Sequence, residues 1–336
     1  MKIGIVAPYW NDITKRELQA IARLAEELGY HSIWVPEMWG RDAFSVLSVL
    51  ALSTEKIKLG TGVISVFSRT PAIIAQTIAT LDEISNGRMI LGLGTSGPAV
   101  IENWHGLKFE KPLQRTREYV EIIRMILKGE RVNYSGDIFK LKGFRLQFTP
   151  PRKEIPIYIA SLGPKNLRLT GEVADGWIPF LIPRSGFKDA IREIASGAEA
   201  VGRRVEEITV SPYIPVCISR KDEETSKKIV KEHIAYYIGS MGTFYYKTLC
   251  RYGFKKEADS ILEAWKQANK SQAIMSVTDT LLNSVAIAGS PKEGRERIEG
   301  LKKEGIDLPI LIFPPKASRE MVKETLVSIA LECLLT

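Results

Sequence analysis

Residues 59–97, LGTGVISVFSRTPAIIAQTIATLDEISNGRMILGLGTSG, decide the fold. A short apolar strand ends in a glycine turn. Pro71 opens an amphipathic helix over 72–84, and Asn86-Gly87 stops it. A second apolar strand over 89–93 then ends in another glycine-rich turn. Strand–helix–strand in this order means two parallel strands whose ends lie at one edge. Glycine lets backbone approach a bound group closely. The stretch therefore predicts a ligand laid across the ends of parallel strands.

The same rhythm runs outward in both directions. Strands are expected at 2–7, 32–36, 57–63, 157–160, 177–181, 208–216, 285–288 and 309–313. Helices are expected over 12–28, 44–53, 114–127, 165–174, 187–201, 292–303 and 319–331. Residues 132–148 break the rhythm as a β-hairpin turning at Ser-Gly-Asp, and 223–284 read as a long helical insertion. No Pro/Gly/Ser-rich linker divides the chain. The expectation is an α/β fold, a (β/α)8 TIM barrel with those two insertions, as a single domain over 1–336. A doubly wound open sheet is the alternative.

Composition narrows the function. The chain has 336 residues, ordinary apolar and charged fractions, and a net charge of +8. Lys and Arg are dispersed rather than grouped with aromatics, so no nucleic acid is expected. No apolar run reaches the roughly 18 residues of a membrane span, and the N-terminus reads as a strand. Cys217, Cys250 and Cys333 are far apart, and there are three histidines. Neither a disulfide framework nor a metal site is expected. A cytoplasmic enzyme acting on a small molecule fits these limits.

Three loops at the strand ends carry candidate chemistry. Gly92-Leu93-Gly94-Thr95-Ser96-Gly97 matches GxGxxG, but the next clear helix is expected only near Gln114. A dinucleotide site needs a helix opening inside that loop. A backbone surface for a flat ring, at Gly94, Thr95 and Ser96, is the preferred reading over a plain barrel turn. Ser161-Leu162-Gly163-Pro164-Lys165 joins a strand to a helix start, where backbone N–H groups attract an anion. Ser161 would add a hydroxyl and Lys165 a charge. Glu37-Met38-Trp39 ends the second strand. Glu37 would meet a ring N–H or hydroxyl, or pair with Arg41, and Trp39 would stack. His105 is a candidate general acid or base. Trp10, Trp177 and Phe180 are candidate walls of a substrate pocket. No Ser-His-Asp order, HExxH or carboxylate pair stands out, which suits a reaction whose hard step belongs to a cofactor.

At these residues the chain resembles the luciferase-like flavin and deazaflavin oxidoreductases. It is most similar to the branch that uses coenzyme F420 and includes methylenetetrahydromethanopterin reductase. The matching pieces are 59–63 with Arg69-Thr70-Pro71-Ala72, the run TLDEISNGR at 80–88, LGLG at 91–94, Gly163-Pro164-Lys165 with GEVADGW at 171–177, and AGSP at 288–291. The resemblance implies a (β/α)8 barrel, a homodimer or higher homo-oligomer, and a deazaflavin ring across the barrel mouth. It implies a non-prolyl cis peptide at Gly62–Val63, next to Thr61, supporting that ring. The cofactor phosphate would lie near 161–165. Alcohol and sugar-phosphate dehydrogenases of the branch carry Asp-His at Glu37-Met38 and a Glu at Gly97; the pterin reductase carries an acid at Val6. This chain departs from them at those positions. The resulting expectation is a hydride-transferring, coenzyme F420-dependent oxidoreductase. The rivals are an FMN-dependent monooxygenase and a non-catalytic flavin- or deazaflavin-binding protein.

Overall fold

A computed structural model of the chain describes residues 1–333. An 11-stranded, mostly parallel, curled sheet forms its centre. Its strands are β1 (Gly4–Val6), β2 (Ser32–Val35), β3 (Lys58–Thr61), β4 (Ile64–Ser65) and β5 (Met89–Gly94), and, beyond a separate hairpin, β8 (Ile157–Ile159), β9 (Gly176–Trp177), β10 (Thr209–Val210), β11 (Tyr213–Ile218), β12 (Ile287–Gly289) and β13 (Ile310–Ile312). The hairpin consists of β6 (Val132–Ser135) and β7 (Lys140–Phe144), paired antiparallel as a two-stranded sheet. The spatial order is β10-β9-β8-β5-β3-β2-β1-β13-β11-β12, with β4 on β5. Phe180, beyond the end of β9, makes an isolated parallel bridge to Tyr213.

Helices α1 (Lys15–Glu27), α2 (Ala43–Ala51), α3 (Pro71–Ile84), α4 (Pro98–Asn103), α5 (Pro112–Leu127), α6 (Pro164–Val173) and α7 (Phe187–Glu199) connect the strands up to β10. Between β11 and β12 lie α8 (Glu223–Ser240), α9 (Phe244–Arg251), α10 (Lys255–Lys266), α11 (Lys270–Met275) and α12 (Asp279–Val285). Helices α13 (Pro291–Lys303) and α14 (Arg319–Cys333) end the chain. Local rules set several boundaries. Thr14 and Glu17 form a reciprocal capping box, so α1 starts at Lys15 rather than near Asp12. Pro71 occupies the first turn of α3 behind the Thr70 cap, and Asn86 and Gly87 leave it with positive φ.

The sheet buries both faces. Its outer face packs on the helices through residues such as Ile5, Ile33, Leu59, Leu91 and Ile157. Its inner face holds a second cluster: Val6, Trp34, Ile90, Tyr158, Ile178, Tyr213, Leu308, Ile310 and Ile312. Burial on both faces explains why the strands read as unbroken apolar runs. Trp34 and Tyr158 fill the interior, with ring centroids 5.6 Å apart. Gly60 on the adjacent strand makes that possible, because a Cβ there would lie 2.3 Å from the Trp34 ring.

The structure departs from the sequence reading at four places. Strand 57–63 divides at Gly62–Val63, whose peptide bond is cis; Ile64 and Ser65 pair separately with Leu93 and Gly94. Strand 208–216 breaks at Ser211-Pro212, because proline brings no N–H to a ladder. Of the strand expected at 285–288, Val285 ends α12 and the strand, β12, starts only at Ile287; it pairs with the far half of β11, while β13 occupies the place between β11 and β1. A helix also begins directly after the GxGxxG, at Pro98, where none was expected before Gln114. It lasts six residues, and the loop follows β5, deep in the chain, rather than the first strand, where a dinucleotide fingerprint belongs.

Candidate active site

The carboxyl ends of β1, β2, β3, β5, β8 and β9 bring the predicted loops to one edge of the parallel sheet. Such edges are where open and closed α/β sheets bind ligands. The two glycine turns touch. A Cβ on Gly94 would lie 2.7 Å from Val63 Cγ2, so only glycine fits beside the valine. Thr61 clips the strands together: its hydroxyl donates to Gly92 O at 2.8 Å and accepts from Gly92 N–H at 2.7 Å. That hydroxyl is spent inside the sheet, so Thr61 can offer a ligand backbone only. From the opposite side, the Tyr213 hydroxyl donates to Gly62 O at 3.0 Å. Burial pushes the Tyr213 phenol far up from its ordinary value, so it stays a donor. Ser96 holds a positive φ of 58° in the second turn, and the Thr95 hydroxyl donates to Ser96 O.

Glu37 ends β2 as an ion-pair partner. Arg69 Nη1 lies 2.5 Å from Glu37 Oε1 and Nη2 donates to Oε2 at 3.0 Å, while the Ala43 N–H also donates to Oε2. Arg69 further pairs with Asp42, the cap of α2. Glu37 is only 12% exposed, and both its oxygens are engaged. Arg41, the alternative partner to a ligand group, instead donates to the carbonyls of Trp10, Asn11 and Ile13 and holds the loop after β1. Met38 is half-buried and Trp39 is exposed beside it.

The anion loop is assembled differently from the sequence reading. Ser161 is buried. The Thr170 hydroxyl donates to Asn166 O, so the Ser161 hydroxyl donates inward to Thr170 at 2.8 Å. Beneath the loop, Trp177 Nε1 donates to Ser161 O at 2.9 Å. What faces outward is the start of α6. Gly163 caps it in extended backbone with no side-chain cap, and nothing lies within 4 Å of a Cβ built there. Lys165 is exposed on the first turn. Asn166 Oδ1 is buried without a partner. Arg251, from α9, donates to Leu162 O at 2.9 Å. It delivers a guanidinium that no spacing in the sequence linked to this loop.

Three predicted residues lie elsewhere. His105 sits on the outer loop after α4, its N–H bonded to Val100 O, and its ring makes no hydrogen bond among the described residues. Trp177 is fully buried and edge-on to Phe187 at 5.9 Å, so it supports the site and lines no pocket. Trp10 is buried, with Nε1 donating to Ala317 O and the Arg319 guanidinium 5.0 Å over its ring. Phe180 does reach the edge, half-buried, and rings from α8 and α9 surround it: Tyr237 at 4.7 Å, Tyr245 at 5.6 Å and His233 at 6.1 Å. No spacing in the sequence links Tyr237 or His233 to this edge, because only the packing of α8 brings them there. Among the described residues, no group of three or more His, Cys, Asp or Glu side chains could hold a metal, and no helix is long and apolar enough to cross a membrane.

The chain matches a family model for luciferase-like monooxygenases over residues 1–308. It is 34% identical over 313 residues to 5,10-methylenetetrahydromethanopterin reductase of Archaeoglobus fulgidus, covering 91% of each chain. It is 31% identical over 230 residues to the F420-dependent glucose-6-phosphate dehydrogenase of Amycolatopsis mediterranei, covering 62% of this chain and 67% of that one. Among solved structures, the coenzyme F420-dependent tetrahydromethanopterin reductase of Methanopyrus kandleri superposes with a TM-score of 0.85 at 27% identity, covering 99% of this chain and 98% of that one.

Proposed function

The chain belongs to the luciferase-like monooxygenase family, and on that premise we propose that it is a coenzyme F420-dependent oxidoreductase. The observation that carries this reading is the shared edge. Two touching glycine turns, at Gly62-Val63 and Gly94-Thr95-Ser96, present backbone to a flat ring, with Gly62 packed against Tyr213 and Gly94 against Val63. Beside them the uncapped start of α6 offers N–H groups to a phosphate. The residues fit a phosphate-bearing deazaflavin. When bound, that group supplies hydride exchange between its C5 and an organic substrate.

The chain's own residues bind and orient. Gly62, Val63 and the Gly94–Ser96 turn form the floor under the ring. Lys165 and Arg251, with the α6 N–H groups, hold the phosphate. Glu37 is a positioning residue: its pair with Arg69 fixes the loop of Met38 and Trp39 against the start of α3. The departures at Val6, Met38 and Gly97 argue that the substrate is neither a sugar phosphate nor the pterin of the relatives. We read the sheet as closing into a (β/α)8 barrel through the Phe180–Tyr213 bridge, as one domain over 1–336, with the hairpin and α8–α12 as insertions. The small-molecule enzyme works as a homodimer or higher homo-oligomer in the cytoplasm; free Cys217 and Cys250 suit that compartment.

Equilibrium titration of the purified protein with coenzyme F420 and, separately, with FMN tests the reading. Tight F420 binding with hydride transfer to an organic acceptor is expected. Tight FMN binding without F420 binding would replace it with the monooxygenase reading. Tight F420 binding without turnover on alcohols, pterins or enones would make the protein a carrier.

A further inference from the structure

His233 projects from α8, the helix that follows β11 and packs on β11 and β12. It is only 4% exposed, and its Nε2 is buried with no hydrogen-bond partner. An unpaired buried polar atom costs free energy that natural structures seldom leave standing without a use. Its surroundings are aromatic. The Tyr237 ring lies 4.9 Å away on the next turn of α8, and Phe180 lies 6.1 Å away at the end of β9. Phe180 in turn meets Tyr213 edge-on at 6.5 Å, and Tyr213 is the residue bonded to Gly62 O. The orphan nitrogen therefore stands two rings, Phe180 and Tyr213, away from the glycine floor of the proposed cofactor site. Tyr245 and Phe180 are half-buried, so the aromatic wall has an open side.

We infer that this His233–Tyr237–Phe180–Tyr245 corner is the substrate recess, and that His233 Nε2 hydrogen-bonds the polar atom of an uncharged, flat, unsaturated substrate such as a conjugated carbonyl compound. The inference rests on the oxidoreductase reading of the adjoining edge. Three features select that chemistry. Ring edges and faces favour a π-bearing partner over a saturated one. No Lys, Arg, Asp or Glu belongs to these ring contacts, so nothing there compensates a charged substrate. Burial lowers the imidazole to about 4, so it is neutral near neutral pH and offers a hydrogen bond without a charge. A single placed polar group in an apolar wall is also the usual way a pocket fixes orientation.

The test uses the full chain, with cyclohex-2-enone as the probe and cyclohexane as its saturated control. Nitrogen-15 NMR of the three histidines reads binding directly, without cofactor or turnover. The enone is expected to shift the His233 Nε2 resonance and leave His31 and His105 unmoved. His233→Phe keeps an aromatic ring, so the thermal midpoint should hold. It should weaken enone binding at least about tenfold, the scale of one lost hydrogen bond, while coenzyme F420 binding changes less than about twofold. His233→Gln, which retains a hydrogen-bonding group, should recover part of the loss. An enone that leaves the His233 signal unmoved, binds no better than cyclohexane, or binds His233→Phe as tightly as wild type overturns the inference. Failure of wild type to bind F420 overturns the oxidoreductase reading instead, and the two results are read separately.

Discussion

The Tyr213 hydroxyl donates to the carbonyl oxygen of Gly62, 3.0 Å away and 151 residues distant in sequence. The bond joins β11 to the turn after β3, on opposite sides of the sheet interior. Tyr213→Phe removes the donor and leaves a buried carbonyl unpaired, a loss of about 1–3 kcal/mol. The urea midpoint should fall accordingly, and coenzyme F420 affinity should fall with it because the floor loses its brace. A variant of unchanged stability and affinity would show that the bond positions nothing.

Arg69 bridges two carboxylates, Glu37 and Asp42, and is 24% exposed. Its removal strands Glu37, which is 12% exposed. Arg69→Met should destabilise by about 1–3 kcal/mol, between the values of exposed and fully buried pairs. The double variant Glu37→Gln with Arg69→Met should recover much of that, since no buried charge is left uncompensated; Asp42 is 42% exposed and keeps the Ser45 N–H. A thermal-melt double-mutant cycle measures the coupling. Additive losses would reduce the pair to incidental contact.

Arg251 reaches the anion loop through Leu162 O. Arg251→Ala and Lys165→Ala should each weaken F420 binding by about tenfold to a hundredfold, the scale of one charged hydrogen bond. Raising salt should narrow the difference from wild type. Affinity for a phosphate-free deazaflavin should be unaffected in both variants, and fluorescence titration reads all three quantities.

Glu118 anchors the hairpin from α5. Its fully buried carboxylate accepts from the N–H groups of Asp137, Ile138 and Phe139 and from the Gln114 amide. Burial pushes this carboxyl upward, but those donors outweigh it and hold the group below the ordinary range. Glu118→Gln should cost about 1.5–3 kcal/mol. It should speed hydrogen exchange at 137–139 before any change at the sheet edge.

Two histidines make stability fall toward acid. Burial, with Lys2 and Lys58 nearby, lowers His31 from 6.5 to about 4, and burial alone lowers His233 equally far. The folded state therefore binds fewer protons than the unfolded chain between those values. Stability from the neutral rings is complete above pH 6.5 and is lost as pH falls toward 4. Denaturant midpoints across that window should decline, and the double variant His31→Phe with His233→Phe should flatten the decline.

Much of the fold was legible because its signals are local. The Pro71 start and Asn86-Gly87 stop of α3, the apolar runs of β3 and β5, and the Ser-Gly-Asp turn of the hairpin act within a few residues. The glycine turns and the Gly163-Pro164 helix start were legible for the same reason. The cis bond at Gly62–Val63 came from resemblance, not from any local rule. Side-chain roles were read less well. The sequence offers the Ser161 hydroxyl to a ligand, yet Thr170 of α6 takes it, and the Thr61 hydroxyl is spent on Gly92 across the sheet. Glu37 reads from sequence as a ligand contact or a partner of Arg41, but Arg69 is the residue that the turn after β4 presents to it.

The sequence by itself determined an α/β chain of parallel strands whose ends converge at one glycine-rich edge, because periodicity, caps and turn residues are written in neighbouring positions. The tertiary structure alone decided what stands around that edge. Arg251, His233, Tyr237 and Tyr245 arrive from α8 and α9, in the long stretch between β11 and β12, and Tyr213 reaches Gly62 through the sheet interior. Which distant side chain meets which strand end depends on how long-range packing closes, and that leaves no trace in local spacing.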